Sequence, residues 1–132
     1  MPGYSGTPLP KKLGIKEPSR VRLVAVPAEV SAELKAALAS CEVVNKAPLD
    51  FVMLFTKSKE HLSKEFKNLT GQIAPAGMLW VSWPKKSSGV ATDLDENVVR
   101  EIGLAAGLVD VKVCAVTDVW SGLKFVRRLK DR

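Results

Sequence analysis

Short apolar runs that alternate with helical patterns constrain the fold of this chain more than any other feature. Three of these runs have the length of strands: VRLVAV at 21–26, DFVMLFT at 50–56 and MLWVSW at 78–83. Runs that are apolar at nearly every position are typical of strands covered on both faces, as in a parallel sheet. Between the runs, apolar residues recur at helical spacing at 29–39 and 58–71. The alternation predicts an α/β fold with a mostly parallel sheet and helices on its faces.

The stretch that follows the third run predicts the best-defined helix of the chain. Asp95 is a favourable N-cap, and Leu94 and Val99 occupy the two positions of a hydrophobic staple. Gly107 is expected to end this helix. The predicted buried face consists of apolar and small residues: Val98, Val99, Ile102, Ala105 and Ala106.

The last two β-prone segments, 109–119 and 123–129, are expected to form an antiparallel hairpin. Ser121–Gly122 has the composition of the turn between them. Combined with the parallel strands, this hairpin predicts a Rossmann-like three-layer sandwich. Its sheet would be mostly parallel, with the antiparallel strands at one edge.

The first half of the chain departs from a regular α/β pattern at two places. Residues 1–19 are rich in proline and glycine, which predicts an extended N-terminal arm, and residues 20–132 are expected to form a single domain. Residues 41–45 resemble a strand, but the next strand begins at Asp50. A parallel crossover needs about a dozen residues, so this strand is expected to be short, or to lie at an edge in an undetermined direction.

The positive charge of the chain lies at its two ends. The net charge is +6 at pH 7, and the excess comes from the first twenty residues and from 124–132. Basic ends can attract nucleic acid, for which Lys11, Lys12, Arg127 and Arg128 are the candidate contacts. The alternative interpretation is that charged ends keep a small domain in solution.

The composition disfavours several classes of protein. No run approaches the ~18 apolar residues of a membrane span, and the first residues lack the apolar segment of a secretory signal. We therefore expect a cytoplasmic protein with no membrane partner. Cys41 and Cys114 are expected to be buried, reduced thiols, with a disulfide as the alternative. His61 is the only histidine and the cysteines lack metal-ligand spacing, so no metal site is predicted.

The second half, roughly 50–129, resembles the fold of S-adenosylmethionine (SAM)-dependent methyltransferases. The strand DFVMLF begins with an acidic residue and is followed by a helix. The turn into the next strand, Pro75-Ala76-Gly77-Met78-Leu79, is similar to the P-G-G-x-L turn of that family. The resemblance implies a methyltransferase-like fold and SAM as a possible cofactor.

The first half lacks the cofactor-binding turn that this resemblance implies. Methyltransferases use a glycine-rich turn after the first strand, where the backbone approaches the ligand. Here that turn reads Val26-Pro27-Ala28-Glu29, and no glycine occurs between Gly14 and Gly71. The second strand ends in Asn45 and Lys46 instead of an acidic residue that would hold a ribose. The same absence disfavours a dinucleotide site or a phosphate-binding loop.

Nearly the whole chain also resembles a family of small bacterial proteins of unknown function. The matching stretches are GYSGTPL at 3–9, KLGI at 12–15, WPKKSSG at 83–89 and WSGLKF at 120–125. This resemblance implies a soluble bacterial protein and indicates no activity.

The loop 84–94 is the main candidate for a ligand site. Ligands of open α/β sheets bind beyond the carboxyl ends of the strands, and this loop is longer than most strand-to-helix connections. Its polar residues suit a phosphate or carboxylate; the alternative is a solvated loop whose side chains bond to its own backbone. The candidate residues are Trp83, Lys85, Lys86, Ser87, Ser88, Gly89 and Asp93.

Supporting residues are expected from three other segments. Trp80 and Trp83 should lie on opposite faces of their strand. Trp120 at the predicted hairpin turn is either exposed or packed against the N-terminal arm, and His61, near a helix N-terminus, is either a candidate base or an ordinary surface histidine. The supporting candidates are Tyr4, Ser5, Thr7, His61, Trp120, Ser121 and Lys124.

These observations support three hypotheses about function. The first is non-catalytic binding of an anionic ligand or a protein partner at the carboxyl edge of the sheet. The alternative is a minimal SAM-dependent methyltransferase with an atypical cofactor site. The third is nucleic-acid binding through the basic ends. The sequence indicates neither a substrate nor an oligomeric state.

Overall fold

The computed structural model describes residues 7–132 and shows one mixed β-sheet in this part of the chain. The strands lie in the order β2-β1-β3-β4-β6-β5. They are β1 Arg20–Val24, β2 Glu42–Val43, β3 Leu49–Phe55, β4 Ile73–Pro84, β5 Leu108–Ala115 and β6 Trp120–Arg127. β1 to β4 pair in parallel, and β6 is antiparallel to both of its neighbours. The predicted α/β fold, mostly parallel with a C-terminal antiparallel hairpin, is confirmed.

Helices cover both faces of the sheet and complete the predicted three layers. They are α1 Leu9–Leu13, α2 Ala28–Leu38, α3 Lys59–Thr70 and α4 Glu96–Ala105, with 3₁₀ turns at Lys86–Ser88 and Leu129–Asp131. Residues of α3 and α4, such as Phe66 and Val99, pack on one face with Trp83. Residues of α1 and α2 pack on the other face with Trp80. The two tryptophans therefore lie on opposite faces, as predicted from strand alternation.

The segment predicted to be an extended arm contains a helix. Leu9 and Leu13 are four residues apart, so they share one face of α1, and both are buried. The helix ends at Gly14, whose φ of +81° is left-handed. Trp80 Nε1 donates a buried hydrogen bond of 2.8 Å to Leu13 O. These contacts fix α1 on the sheet, whereas the domain boundary at residue 20 stays a prediction.

The doubtful strand at 41–45 is a two-residue edge strand. β2 pairs in parallel with Arg20 and Val21, the first residues of β1. Because it ends at the level where β1 begins, the chain returns to β3 without a helical crossover. The Arg20 guanidinium holds this return, since it donates to Pro48 O and to Glu42 Oε2, at 2.7 and 3.2 Å.

The N-terminus of α4 follows the prediction, and so does part of its buried face, since Val99 is buried and Val98 and Ile102 pack against the same core. Asp95 Oδ1 accepts a hydrogen bond from the Val98 N–H, at 2.9 Å. Ala105 and Ala106 are exposed, whereas Gly103, absent from the predicted face, is buried. The small size of Gly103 lets the helix lie directly on the ring of Phe125.

The turn of the C-terminal hairpin lies earlier than predicted. Residues 116–119 make the turn, and Val116 and Thr117 donate their N–H groups to Trp120 O. Ser121 and Gly122 belong to β6. A Cβ at Gly122 would lie 2.9 Å from Val116 and 3.2 Å from the Trp80 ring, so this glycine serves packing rather than turn formation.

Cys41 and Cys114 are free thiols and are half-buried rather than fully buried. Burial raises the pKa of Cys114 above its usual range. Between residues 7 and 132, no helix has the length and apolarity needed to cross a membrane. Within the same range, no group of three or more histidine, cysteine or acidic side chains could hold a metal ion.

Candidate functional site

Two clefts lie at the edge of the sheet where the parallel strands end. The main cleft, of about 470 Å³, opens where β3 ends, α3 begins and β6 starts. Its lining residues are Ala25, Phe55, Thr56, Lys57, Ser58, His61 and Trp120. The second cleft, of about 650 Å³, lies along β1 beyond the end of the short β2. It is lined by Arg22, Leu23, Val24, Ala25, Val43, Val44, Asn45 and Lys46.

Ala25 links the two clefts, because it lines both of them. It follows the last residue of β1 and has a φ of +57°. This left-handed conformation is normal for glycine and costs other residues about 1 kcal/mol or more. The turn after the first strand therefore keeps a backbone geometry that favours glycine, although the residue is alanine.

His61 is the titratable group with the most defined contacts in the main cleft. Its Nδ1 lies 2.7 Å from Thr56 Oγ1, and its Nε2 lies 3.9 Å from a carboxylate oxygen of Glu65. Its backbone N–H donates to Ser58 Oγ, the N-cap of α3. The ring is therefore held at one nitrogen, while the side chain stays 44% exposed.

An aromatic pair forms the apolar wall of the main cleft. Trp120 packs edge-on against Phe55, with ring centroids 5.0 Å apart. Trp120 belongs to the same buried cluster as Leu9 and Leu13 of α1. Trp120 is therefore buried rather than exposed, and its packing against the N-terminal segment stays a prediction.

The predicted ligand loop uses several of its polar groups internally. Ser88 Oγ donates to Lys85 O and accepts from the Val90 N–H. Asp93 Oδ1 accepts from the N–H of Lys59 in the first turn of α3, at 2.7 Å. The loop thus supports the segment that lines the main cleft, as in the alternative interpretation of its polar residues.

The other predicted site residues do not come together at one place. Trp83 is buried in the core under α3 and α4, and Lys86 and Ser87 are exposed. Gly89 ends the 3₁₀ turn with a φ of +76°, and Thr7 is exposed. Tyr4 and Ser5 lie outside the described residues.

Ser121 and Lys124 lie within β6 rather than at a turn. Lys124 pairs with Trp80 in the middle of β4, so it is separated from the carboxyl edge. Of the predicted residues, His61 and Trp120 are the two that line the main cleft.

Three residues at the clefts were missed by the sequence analysis: Ala25, Asn45 and Thr56. Thr56 ends the apolar run DFVMLFT, which is a position where ligand contacts are common. Asn45 was considered only as a missing acidic residue. No sequence signal marks the positive φ of Ala25, because alanine rarely adopts it.

Solved structures of methyltransferases are similar to this chain over most of its length. A SAM-dependent methyltransferase from Aquifex aeolicus has a TM-score of 0.57 and 19% identity, and the match covers 87% of this chain and 85% of that one. Magnesium protoporphyrin IX methyltransferase from Synechocystis PCC 6803, solved with bound SAM, has a TM-score of 0.59 and 12% identity, with 91% and 74% covered. Mitomycin 7-O-methyltransferase has a TM-score of 0.59 and 9% identity over 83% of this chain, which spans about half (49%) of that enzyme.

No protein-family model and no curated protein matches the sequence, so the resemblance to a family of small bacterial proteins stays a prediction. The structural likeness, at identities this low, concerns the fold alone. Strand order, parallel pairing and the antiparallel hairpin agree with it. The chain therefore has the α/β fold of SAM-dependent methyltransferases.

Proposed function

We propose that the protein binds SAM across the two clefts and transfers its methyl group to an acceptor in the main cleft. The observation that carries this proposal is the meeting of both clefts at Ala25, directly after β1. In doubly wound α/β folds, this is the place where nucleotide-like ligands bind. The methyltransferase fold of the chain supports the same choice.

The residues at the clefts fit such a cofactor in part. The Asn45 amide offers both a donor and an acceptor to ribose hydroxyls, in place of the usual carboxylate. Lys57 offers an ammonium group to a carboxylate. Both cleft volumes lie within the ~300–1,000 Å³ typical of ligand sites. Glu29 does not fit the cofactor, because its carboxylate in the first turn of α2 disfavours a second anion there.

The main cleft contains a residue that can take up the proton that the methyl acceptor loses. When bound, SAM supplies an electrophilic methyl group. A hydroxyl or amine acceptor must lose a proton as it is methylated, and His61 is placed to take it. Thr56 Oγ1 holds Nδ1 of the ring, and a carboxylate oxygen of Glu65 lies 3.9 Å from Nε2. Phe55 and Trp120 exclude water from one side of the cleft.

The non-catalytic hypothesis is less well supported. It relied on the loop 84–94 as the ligand-binding surface. Ser88 and Asp93 make hydrogen bonds within the protein, so they are not available to an anion without loss of those bonds. The likeness to methyltransferases also favours the alternative.

Replacing Asn45 with leucine is expected to weaken SAM binding about tenfold. The change removes a hydrogen-bonding group from the second cleft, and one hydrogen bond contributes about 0.5–1.5 kcal/mol. Asn45 is exposed, so the fold should be unaffected. Isothermal titration calorimetry with SAM measures the dissociation constant of each variant.

Asn68→Leu is the matched control, because Asn68 is also exposed but lies in α3 away from both clefts. It should bind SAM as tightly as the wild-type protein. Wild-type protein that shows no heat of binding with SAM, or equal losses in the two variants, would contradict the proposal.

A further inference from the structure

Five lysines form a row on the face of the sheet that carries α1, and we call this set the lysine row. Its members come from α1, the segment after it, the position after β4 and the two hairpin strands. They are Lys12, Lys16, Lys85, Lys112 and Lys124. The row is not part of either cleft at the carboxyl edge.

The centre of the row is a like-charge pair across two strands. Lys112 of β5 and Lys124 of β6 are Cα partners, and Lys124 is in turn the partner of Trp80 in β4. Like charges directly opposite each other in a sheet are destabilising. The repulsion is offset in part, because Lys112 Nζ donates to Lys12 O, at 2.9 Å, and so joins β5 to α1.

Lys16 extends the row at one end. The positive charges of Lys112 and Lys16 lower the pKa of Lys124, after the larger effect of its burial. Lys124 Nζ would lie 3.8 Å from a Cβ at Gly14, just before Ile15 and Lys16. The ammonium groups are thus close enough to act on one another.

Lys12 and Lys85 extend the row towards the carboxyl edge. The positive charges of Lys12, Lys85 and Lys112 lower the pKa of the Cys114 thiol, against the larger effect of its burial. Lys12 Nζ donates to Ala115 O, at 2.8 Å. The Lys85 N–H donates to Val119 O, one residue before Trp120 of the main cleft.

Few carboxylates neutralise this face. Lys16, Lys112 and Lys124 form no ion pair with any residue in the range 7–132. Asp110, on the same strand as Lys112, pairs with Arg100 of α4 at 2.8 Å, which places its carboxylate on the opposite face. That pairing lowers the pKa of Asp110.

The two arginines of the basic C-terminus bond to backbone carbonyls of the protein. The Arg127 guanidinium donates to Thr70 O and Ile73 O, both at 2.6 Å. Arg128 donates to Leu104 O, at 3.5 Å. Lys12 and Lys112 make bonds of the same kind, to Ala115 O and Lys12 O, and the Lys112 ammonium keeps two further N–H groups for a partner.

We propose that the lysine row binds the phosphodiester backbone of a nucleic acid. Lysines that several elements bring to one face suit a polymer with repeated phosphates better than one small anion, which could contact only two or three of them. The binding surface ends beside the main cleft, because Lys85 is its last member. This proposal does not require methyl transfer.

The test is fluorescence anisotropy with a twelve-nucleotide single-stranded RNA, and with DNA of the same sequence, at several salt concentrations. The double variant Lys112→Gln/Lys124→Gln is expected to bind about 50-fold more weakly at about 50 mM salt. The slope of log K against log salt should fall by about 1.4, because each phosphate contact contributes about 0.7 with single strands.

The matched control is Lys64→Gln/Lys67→Gln, which removes the same charge from exposed positions of α3. It should bind nearly as well as the wild-type protein. The Tm of the Lys112/Lys124 variant should change little, because the loss of the Lys112 Nζ bond to Lys12 O is offset by relief of the repulsion between the two lysines.

Three results would overturn the proposal. They are the absence of RNA and DNA binding by the wild-type protein at low salt, equal losses in the two double variants, and displacement of the RNA by inorganic tripolyphosphate at equal or lower concentration. A lowered Tm that accompanies the lost binding would assign the two lysines a structural role and overturn it as well.

Discussion

Replacing Gly103 with alanine is expected to lower the free energy of unfolding by about 3 kcal/mol. A Cβ at this position of α4 would lie 2.0 Å from Cε1 and 2.4 Å from Cζ of Phe125. Phe125 is fully buried and packs edge-on against Phe66, with centroids 5.4 Å apart, so the ring cannot move away. The gain in helix propensity, about 1 kcal/mol, offsets only part of this clash.

Gly71→Ala provides the matched control for this prediction. Gly71 has a right-handed φ of −73°, and a Cβ there would meet nothing within 4 Å. The substitution should be neutral or stabilise by about 0.4–1 kcal/mol. Urea denaturation of both variants measures the difference; equal stabilities would show that α4 does not lie on Phe125 as described.

Replacing Ala25 with valine is expected to abolish measurable SAM binding. A β-branched side chain is strained at a φ of +57°, and its two methyl groups would occupy the place where the clefts meet. Ala25→Gly relieves the strain and removes the Cβ, so it should bind SAM at least as tightly as the wild-type protein. Titration calorimetry compares the three proteins.

Loss of fold is controlled in the same experiment by thermal denaturation. Ala25→Val should lower the stability by about 1–2 kcal/mol and still give a cooperative transition. Unchanged SAM affinity in a folded Ala25→Val protein would place the cofactor elsewhere.

The strands and helices were largely predictable, because their patterns are local. The runs at 50–56 and 78–83 are apolar at almost every position, and both form central strands. Asp95 caps α4 as expected. In each case the residues that determine the element lie within the element itself.

The errors arose where a distant contact decides the structure. Gly122 is typical of a turn, but Val116 and the Trp80 ring fill the space that a side chain would occupy there. Leu9 and Leu13 lie among prolines and glycines, and their helix is stabilised by packing on the sheet and by the bond from Trp80. No local sequence pattern indicates these contacts, because the residues that make them are far apart in the chain.

The sequence placed the candidate site at the edge of the sheet where the two clefts meet, but it centred the site on another loop. The length and polar composition of the loop 84–94 favoured it as a ligand site, although its Ser88 and Asp93 side chains make hydrogen bonds within the protein. Ala25 was overlooked because the sequence shows only that glycine is absent, whereas the backbone keeps the conformation that glycine would favour.

The central claim is that SAM binds where the two clefts meet, and an NMR titration of ¹⁵N-labelled protein tests it most directly. The account predicts that SAM shifts the backbone amide signals of Ala25, Asn45, Thr56 and His61, which line the two clefts. Signals of the lysine row at Lys112 and Lys124 should stay in place. The absence of shifts at millimolar SAM, or shifts confined to residues 85–93, would contradict the account.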